Sequence, residues 1–80
     1  MNRETGEITN LIKKELSDFL GIEVEDIEDD FALVEDLHMK PTDLTDFQEI
    51  LTKKNFPTEK LDFTEIETVE DLVDFLVQHQ

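Results

Sequence analysis

The sequence predicts an all-α fold: a small bundle of three long helices and one short helix, with a long first loop. Three observations lead there. Apolar residues recur at helical spacing in three segments. No stretch alternates apolar and polar residues as a half-buried strand does. Helix start and stop residues bracket the periodic segments.

The first helix is expected from about Thr5 to Leu20. Ile8, Leu11, Ile12, Leu16, Phe19 and Leu20 stand at offsets of 0, 3, 4, 8, 11 and 12, one face of a helix. Gly21 follows directly and suits the left-handed residue that ends many helices. Lys13 and Lys14 lie nearer its middle than its end, so no helix-dipole role falls to them.

The next stretch, GIEVEDIEDDFALVEDLH, has no sustained stripe. It carries eight carboxylates between Glu23 and Asp36 and no basic residue. Ile22, Val24, Ile27, Phe31, Leu33, Val34 and Leu37 punctuate it. A disordered linker has no use for them, so the reading is an ordered loop pinned over the bundle, with room for a helical turn near residues 24–28. Loops this long are uncommon in compact domains and are often functional.

A second helix starts near Pro41 or Thr42 and runs to about Lys54. Leu44, Phe47, Ile50 and Leu51 give offsets of 0, 3, 6 and 7, with Asp43, Asp46 and Glu49 on another face. Either Lys40 or Thr42 is its N-cap, and Thr42 is the better one chemically. Lys53 and Lys54 place cations at the negative end of the helix dipole, and Asn55 can end it. A short helix is expected over about 58–63, with Pro57 at its first turn and Leu61 and Phe63 partly buried. The last helix opens at Thr68. Asp71 stands three residues on, a capping box with Asp in place of Glu or Gln. Val69, Leu72, Val73 and Leu76 supply its stripe, which Phe75 and Val77 widen.

Eighty residues bound the answer at one domain, which buries only about 60–65% of its unfolded surface. Without cysteine there is no disulfide, no thiolate metal site and no thiol nucleophile. No apolar run approaches the roughly 20 residues that span a bilayer, and MNRETGEI has no apolar signal core. The expectation is a soluble, cytoplasmic monomer. Seven basic residues against 22 acidic ones leave a net charge of −15. Such a surface repels nucleic-acid phosphates and anionic membranes, and its natural complement is a basic protein surface.

Other chemistry finds little support. An EF-hand register begun at Asp26 fails, with Phe31 at position 6 and Leu37 at position 12. The carboxylate cluster suits only weak, nonspecific divalent binding. His38 and His79 are the only histidines, and neither has a partner nucleophile nearby in sequence. No catalytic residue and no dedicated metal site are assigned, so the chain is not expected to be an enzyme.

Residues 31–43 and 66–72 carry a resemblance. Phe31, Glu35, Asp36 and Leu37 match the approach to the reactive serine in the acyl carrier protein family. Asp43 matches the acid that trails that serine, and Ile66, Thr68, Val69 and Leu72 fit the family's last-helix pattern. The chain resembles this family over nearly its whole length. The resemblance implies a four-helix bundle with a long first loop and a short third helix. It also implies a 4′-phosphopantetheine arm on a serine in a D-S-L triplet, and an acidic second helix read by basic patches on partner enzymes of fatty-acid or polyketide-type metabolism.

The triplet is where this chain departs. Lys40, Pro41 and Thr42 occupy it, with Pro41 on the serine position. Proline has no hydroxyl and cannot form the phosphodiester. The only serine, Ser17, lies inside the first helix. His38 stands where the family has glycine, and Lys40 where it has an acid. Thr42 has a hindered secondary hydroxyl and points about 100° around the helix from the required direction. No cofactor is therefore expected. The reading is a carrier-like docking, adaptor or regulatory module without cargo, its partner strip made of Glu35, Asp36, Asp43, Asp46 and Glu49. Met39 and Leu44 are either an apolar anchor beside that strip or simply core. Two alternatives stand: a genuine carrier using Thr42 or another non-standard site, and an unrelated acidic helical interaction domain whose acids only keep it soluble.

Overall fold

A computed structural model describes residues 3–79, with side chains described from Thr5 onward. The elements in order are α1 (Arg3–Leu20), a 3₁₀ turn at Val24–Asp26, α2 (Pro41–Lys53) and α3 (Val69–Gln78). The fold is all-α, and the 3₁₀ turn falls where the loop had room for one. Among the described residues there is no strand, only an isolated antiparallel bridge between Ala32 and Thr68. The 18 residues of α1, about 27 Å at the standard rise, run close to the longest dimension of a 28 × 26 × 21 Å body.

One hydrophobic cluster holds these parts together. α1 contributes Ile8, Ile12 and Leu16; α2 contributes Phe47 and Leu51; α3 contributes Val69, Leu72, Val73 and Leu76. The first loop adds Ile27, Leu33, Leu37 and Met39, and the segment after α2 adds Leu61. α1 lies directly along α3. The α1 stripe is narrower than its spacing suggests. Ile8, Ile12 and Leu16 are one turn apart and fully engaged, whereas Leu11, on the flank, is 47% exposed. In the loop, Ile22, Val24 and Val34 also stay exposed, so only part of its apolar set pins it down.

Backbone hydrogen bonds do the remaining pinning. The Leu33 amide donates to the Glu67 carbonyl at 2.9 Å. In return, the amides of Val69 and Glu70 donate to the carbonyls of Phe31 and Asp29, at 3.0 and 2.8 Å. The first amides of a helix have no intrahelical partner, and at α3 the loop supplies two of them. Lys13 on α1 adds an ion pair to Asp29 at 2.5 Å. Lys54 pairs with Glu15 at 3.0 Å and ties the end of α2 to α1.

The helix stops follow local chemistry. Gly21 ends α1 at φ 70°, a left-handed conformation that glycine takes without a Cβ clash. Asn55 ends α2 at φ 67°. The Phe56 and Asn55 amides donate to the carbonyls of Leu51 and Thr52, both at 3.0 Å, the Schellman pattern. At α3 the Asp71 amide donates to Thr68 Oγ1 at 3.1 Å, and the Thr68 amide donates to Asp71 Oδ2 at 3.2 Å. Thr68→Ala should therefore cost about 1 kcal/mol of stability in urea denaturation, with Thr68→Ser recovering most of it. An unchanged midpoint for the alanine variant would show that the loop carbonyls suffice to start the helix.

Among the described residues there are three α-helices rather than four. The short helix expected over 58–63 is absent, and separate turns take its place. The amides of Leu61, Glu65 and Ile66 each bond only to the carbonyl three residues earlier. The cause is side-chain competition. Asp62 Oδ1 accepts the Thr64 hydroxyl at 2.7 Å and the Thr64 amide at 2.9 Å, closing a local turn that a helix would have to break. These two bonds, the hydroxyl's first, hold the Asp62 carboxyl below its usual range. Upstream, Thr58 is buried and its hydroxyl meets that of Thr52 at 2.6 Å, which fixes the chain against α2. Leu61 is buried and Phe63 half-buried.

Candidate functional site

The start of α2 is built by three consecutive residues. Lys40 is the N-cap, with extended backbone (φ −87°, ψ 163°). Pro41 follows at the first helical position, where its missing N–H costs nothing and its ring presets φ. Asp43 reaches back, and its Oδ2 accepts the Lys40 amide at 3.0 Å. A lysine ammonium has no acceptor, so the reciprocal half of a capping box cannot form. Of the two residues in question for the cap, Lys40 holds the place. Proline selects the first helical position more strongly than threonine selects the cap, and Thr42 is left as an exposed residue of the first turn.

Pro41 itself is exposed and borders two open grooves. One, of about 260 Å³, is lined by Pro41, Thr42, Thr45 and Asp46. The other, of about 370 Å³, runs between α2 and the turns after it, past Leu44, Gln48, Leu61 and Phe63. Thr45 belongs to both and donates its hydroxyl to the Pro41 carbonyl at 3.2 Å. Ser17 is at the far end of α1, donating to the Ile22 carbonyl at 2.6 Å.

The exposed face of α2 reads Thr42, Thr45, Asp46 and Glu49, the i, i+3, i+4, i+7 spacing of one helix side. Asp46 and Glu49 are thus brought together on a solvent face. Asp43 sits at its edge, half-buried and occupied by the Lys40 amide. Glu35 and Asp36 lie on the turn over 33–37 rather than on the helix. Asp36 Oδ2 accepts the Ala32 amide at 2.7 Å, and the Asp36 amide returns a bond to the Ala32 carbonyl at 3.0 Å. Asp36 and Asp43 therefore shape the surface, whereas Glu35, Asp46 and Glu49 form no side-chain hydrogen bond or ion pair among the described residues.

The apolar candidates separate. Met39 is 1% exposed and part of the core, so it is not an anchor for a partner. It points inward because its amide is tied to the Leu33 carbonyl at 3.0 Å, which folds the loop back before α2 begins. Leu44 is half-buried against the core and forms one wall of the larger groove. Sequence reasoning passed over Thr45, which the 42–45–46–49 spacing marks, and it counted Val34 among the residues pinning the loop, whereas Val34 is the most exposed large apolar residue among those described, at 56%.

No protein-family model matches this chain, and no curated protein matches it. Its function has to be read from the surface itself. Among the described residues no helix is long and apolar enough to cross a membrane, and no group of three or more His, Asp or Glu is placed to hold a metal ion.

His38 makes one further contribution. Its backbone is left-handed at φ 59°, a conformation that costs an ordinary L-residue about 1–2 kcal/mol and glycine almost nothing. It lies between buried Leu37 and buried Met39, so the chain must reverse there. His38→Gly should stabilise the fold by up to about 1 kcal/mol, the relief of strain exceeding the added freedom of the unfolded chain. A lowered urea midpoint would contradict that account.

Proposed function

We propose that this chain is an acyl-carrier-like protein without the phosphopantetheine serine. It is a docking, adaptor or regulatory module that presents an acidic helix to basic surfaces of partners in fatty-acid or polyketide-type metabolism, in the cytoplasm. The observation that carries this reading is Pro41. It stands exposed at the first position of α2, where the resembled family bears its reactive serine, and it offers no hydroxyl. Two further features agree. His38 has the left-handed backbone that suits the glycine which the family has at that place. The order of a long first helix, a long tucked loop, an acidic helix and a capped last helix follows the family's plan, with turns where the family has its short third helix.

On this reading the module neither catalyses nor carries. Asp46 and Glu49 form the centre of the contact, Glu35 extends it onto the loop, and Asp36 and Asp43 hold the backbone that displays them. Binding should weaken steeply with salt, because exposed charges are screened beyond about 10 Å at 0.1 M ionic strength. Partner capture with the native chain at low and high salt, beside the double variant Asp46→Lys, Glu49→Lys, tests it. The double variant should lose about tenfold or more in affinity. Undiminished capture by that variant, or binding indifferent to salt, would remove α2 as the contact.

A further inference from the structure

Lys40 is the one cation at the start of α2, and its surroundings are acidic. Asp36 precedes it by four residues and Asp43 follows by three, with Glu35 and Asp46 just beyond. Here the two nearest carboxylates along the chain are engaged elsewhere. Asp36 accepts the Ala32 amide, and Asp43 accepts the backbone amide of Lys40 itself rather than its side chain. The Lys40 side chain is exposed and forms no ion pair among the described residues. The docking surface is thus not uniformly negative: it displays an unneutralised positive charge beside Pro41, at the end of the Asp46–Glu49 face.

We propose that Lys40 is the specificity-determining residue of this surface, and that the partner it selects presents a carboxylate, set within a basic patch, opposite the start of α2. The proposal rests on the docking reading and goes beyond it by stating the pattern of charge on the partner. A uniformly basic patch brings a cation against Lys40, and like charges facing one another across an interface are costly. A patch with one acid at that point gains an ion pair instead. Specificity by this means is repulsion of the wrong partner as much as attraction of the right one.

The test uses a broad phosphopantetheinyl transferase with coenzyme A, followed by intact mass over time, on chains carrying Pro41→Ser to supply a hydroxyl. At low salt the Pro41→Ser, Lys40→Asp chain should be modified about three- to tenfold faster than Pro41→Ser alone, the ratio shrinking towards one at high salt. Equal rates would overturn the proposal. Adding Asp46→Lys to Pro41→Ser probes the docking reading separately, and should slow modification. If it does not, that reading falls; if it does while Lys40→Asp has no effect, only the proposal falls. In a second arm, basic residues of the transferase patch are changed to Glu one at a time. At least one change should reverse the ranking in favour of Lys40, and the absence of any such reversal would overturn the carboxylate-bearing partner. No modification of any chain would overturn both.

Discussion

Pro41→Ser gains the mass of one phosphopantetheine on incubation with coenzyme A and a broad phosphopantetheinyl transferase, whereas the native chain gains nothing: that is the expected result. The native chain has no primary hydroxyl at the start of α2. Its one serine, Ser17, is committed to the Ile22 carbonyl at the end of α1. The substitution is mild for the fold. The first helical position leaves its amide unbonded whichever residue stands there, and Pro41 is exposed, so the change opens no cavity. The new hydroxyl lies between two open grooves, where a transferase can reach it. Thr42→Ala provides the control. Added to Pro41→Ser, it should leave the gain intact. A gain by the native chain that Thr42→Ala abolishes would establish a carrier using Thr42. Failure of Pro41→Ser to gain mass would count for an unrelated acidic helical domain.

The largest effect on stability is expected at Phe47. It is fully buried, the one aromatic ring completely enclosed, and its ring lies 5.6 Å from that of Phe19 at 58°. With Leu51, it is what α2 contributes to the core it shares with α1 and α3. Phe47→Ala should cost about 3–5 kcal/mol. A chain of this length has a total stability of about 4–12 kcal/mol at the usual value per residue, so the variant should lose a large share of it. In urea the midpoint should fall steeply with little change in slope. Phe47→Leu, which keeps most of the volume, should cost much less. A loss under about 1 kcal/mol for the alanine variant would mean that α2 is held by something other than this contact.

Much of this architecture was legible because its signals are local. The i, i+4 run of Ile8, Ile12 and Leu16 announces α1, Gly21 and Asn55 announce two stops, and the Thr68–Asp71 pair announces the start of α3. The failures share a cause in contacts that a linear reading does not display. Residues 58–63 have ordinary helical composition, but Asp62 prefers Thr64 and Thr58 prefers Thr52. Met39 stood open between an apolar anchor and core; its burial follows from the backbone bond to Leu33. The left-handed backbone of His38 comes from the reversal between Leu37 and Met39; the only sign of it in the sequence is that His38 stands where the resembled family has glycine. At the candidate site, the placement of Asp46 and Glu49 away from the apolar stripe of α2 was readable from spacing. The occupation of Asp36 and Asp43 by backbone amides was not, since carboxylates that cap and carboxylates that dock are written with the same letters.

The bonds from Val69 and Glu70 to Phe31 and Asp29 bind the two halves of the chain into one opening event. If the loop lifts from the body, two amides at the head of α3 lose their acceptors together, and a donor stripped of its partner without water at hand is costly. The loop therefore does not behave as an independent flap. Its detachment and the fraying of α3 form a single cooperative unit in the sense of local unfolding. The turn that displays Glu35 lies within that unit, so on the proposed docking role a partner seated on Glu35 would also steady the last helix. Occupancy of the acidic surface then becomes legible as slower hydrogen exchange at Val69 and Glu70, on an element that need not touch the partner.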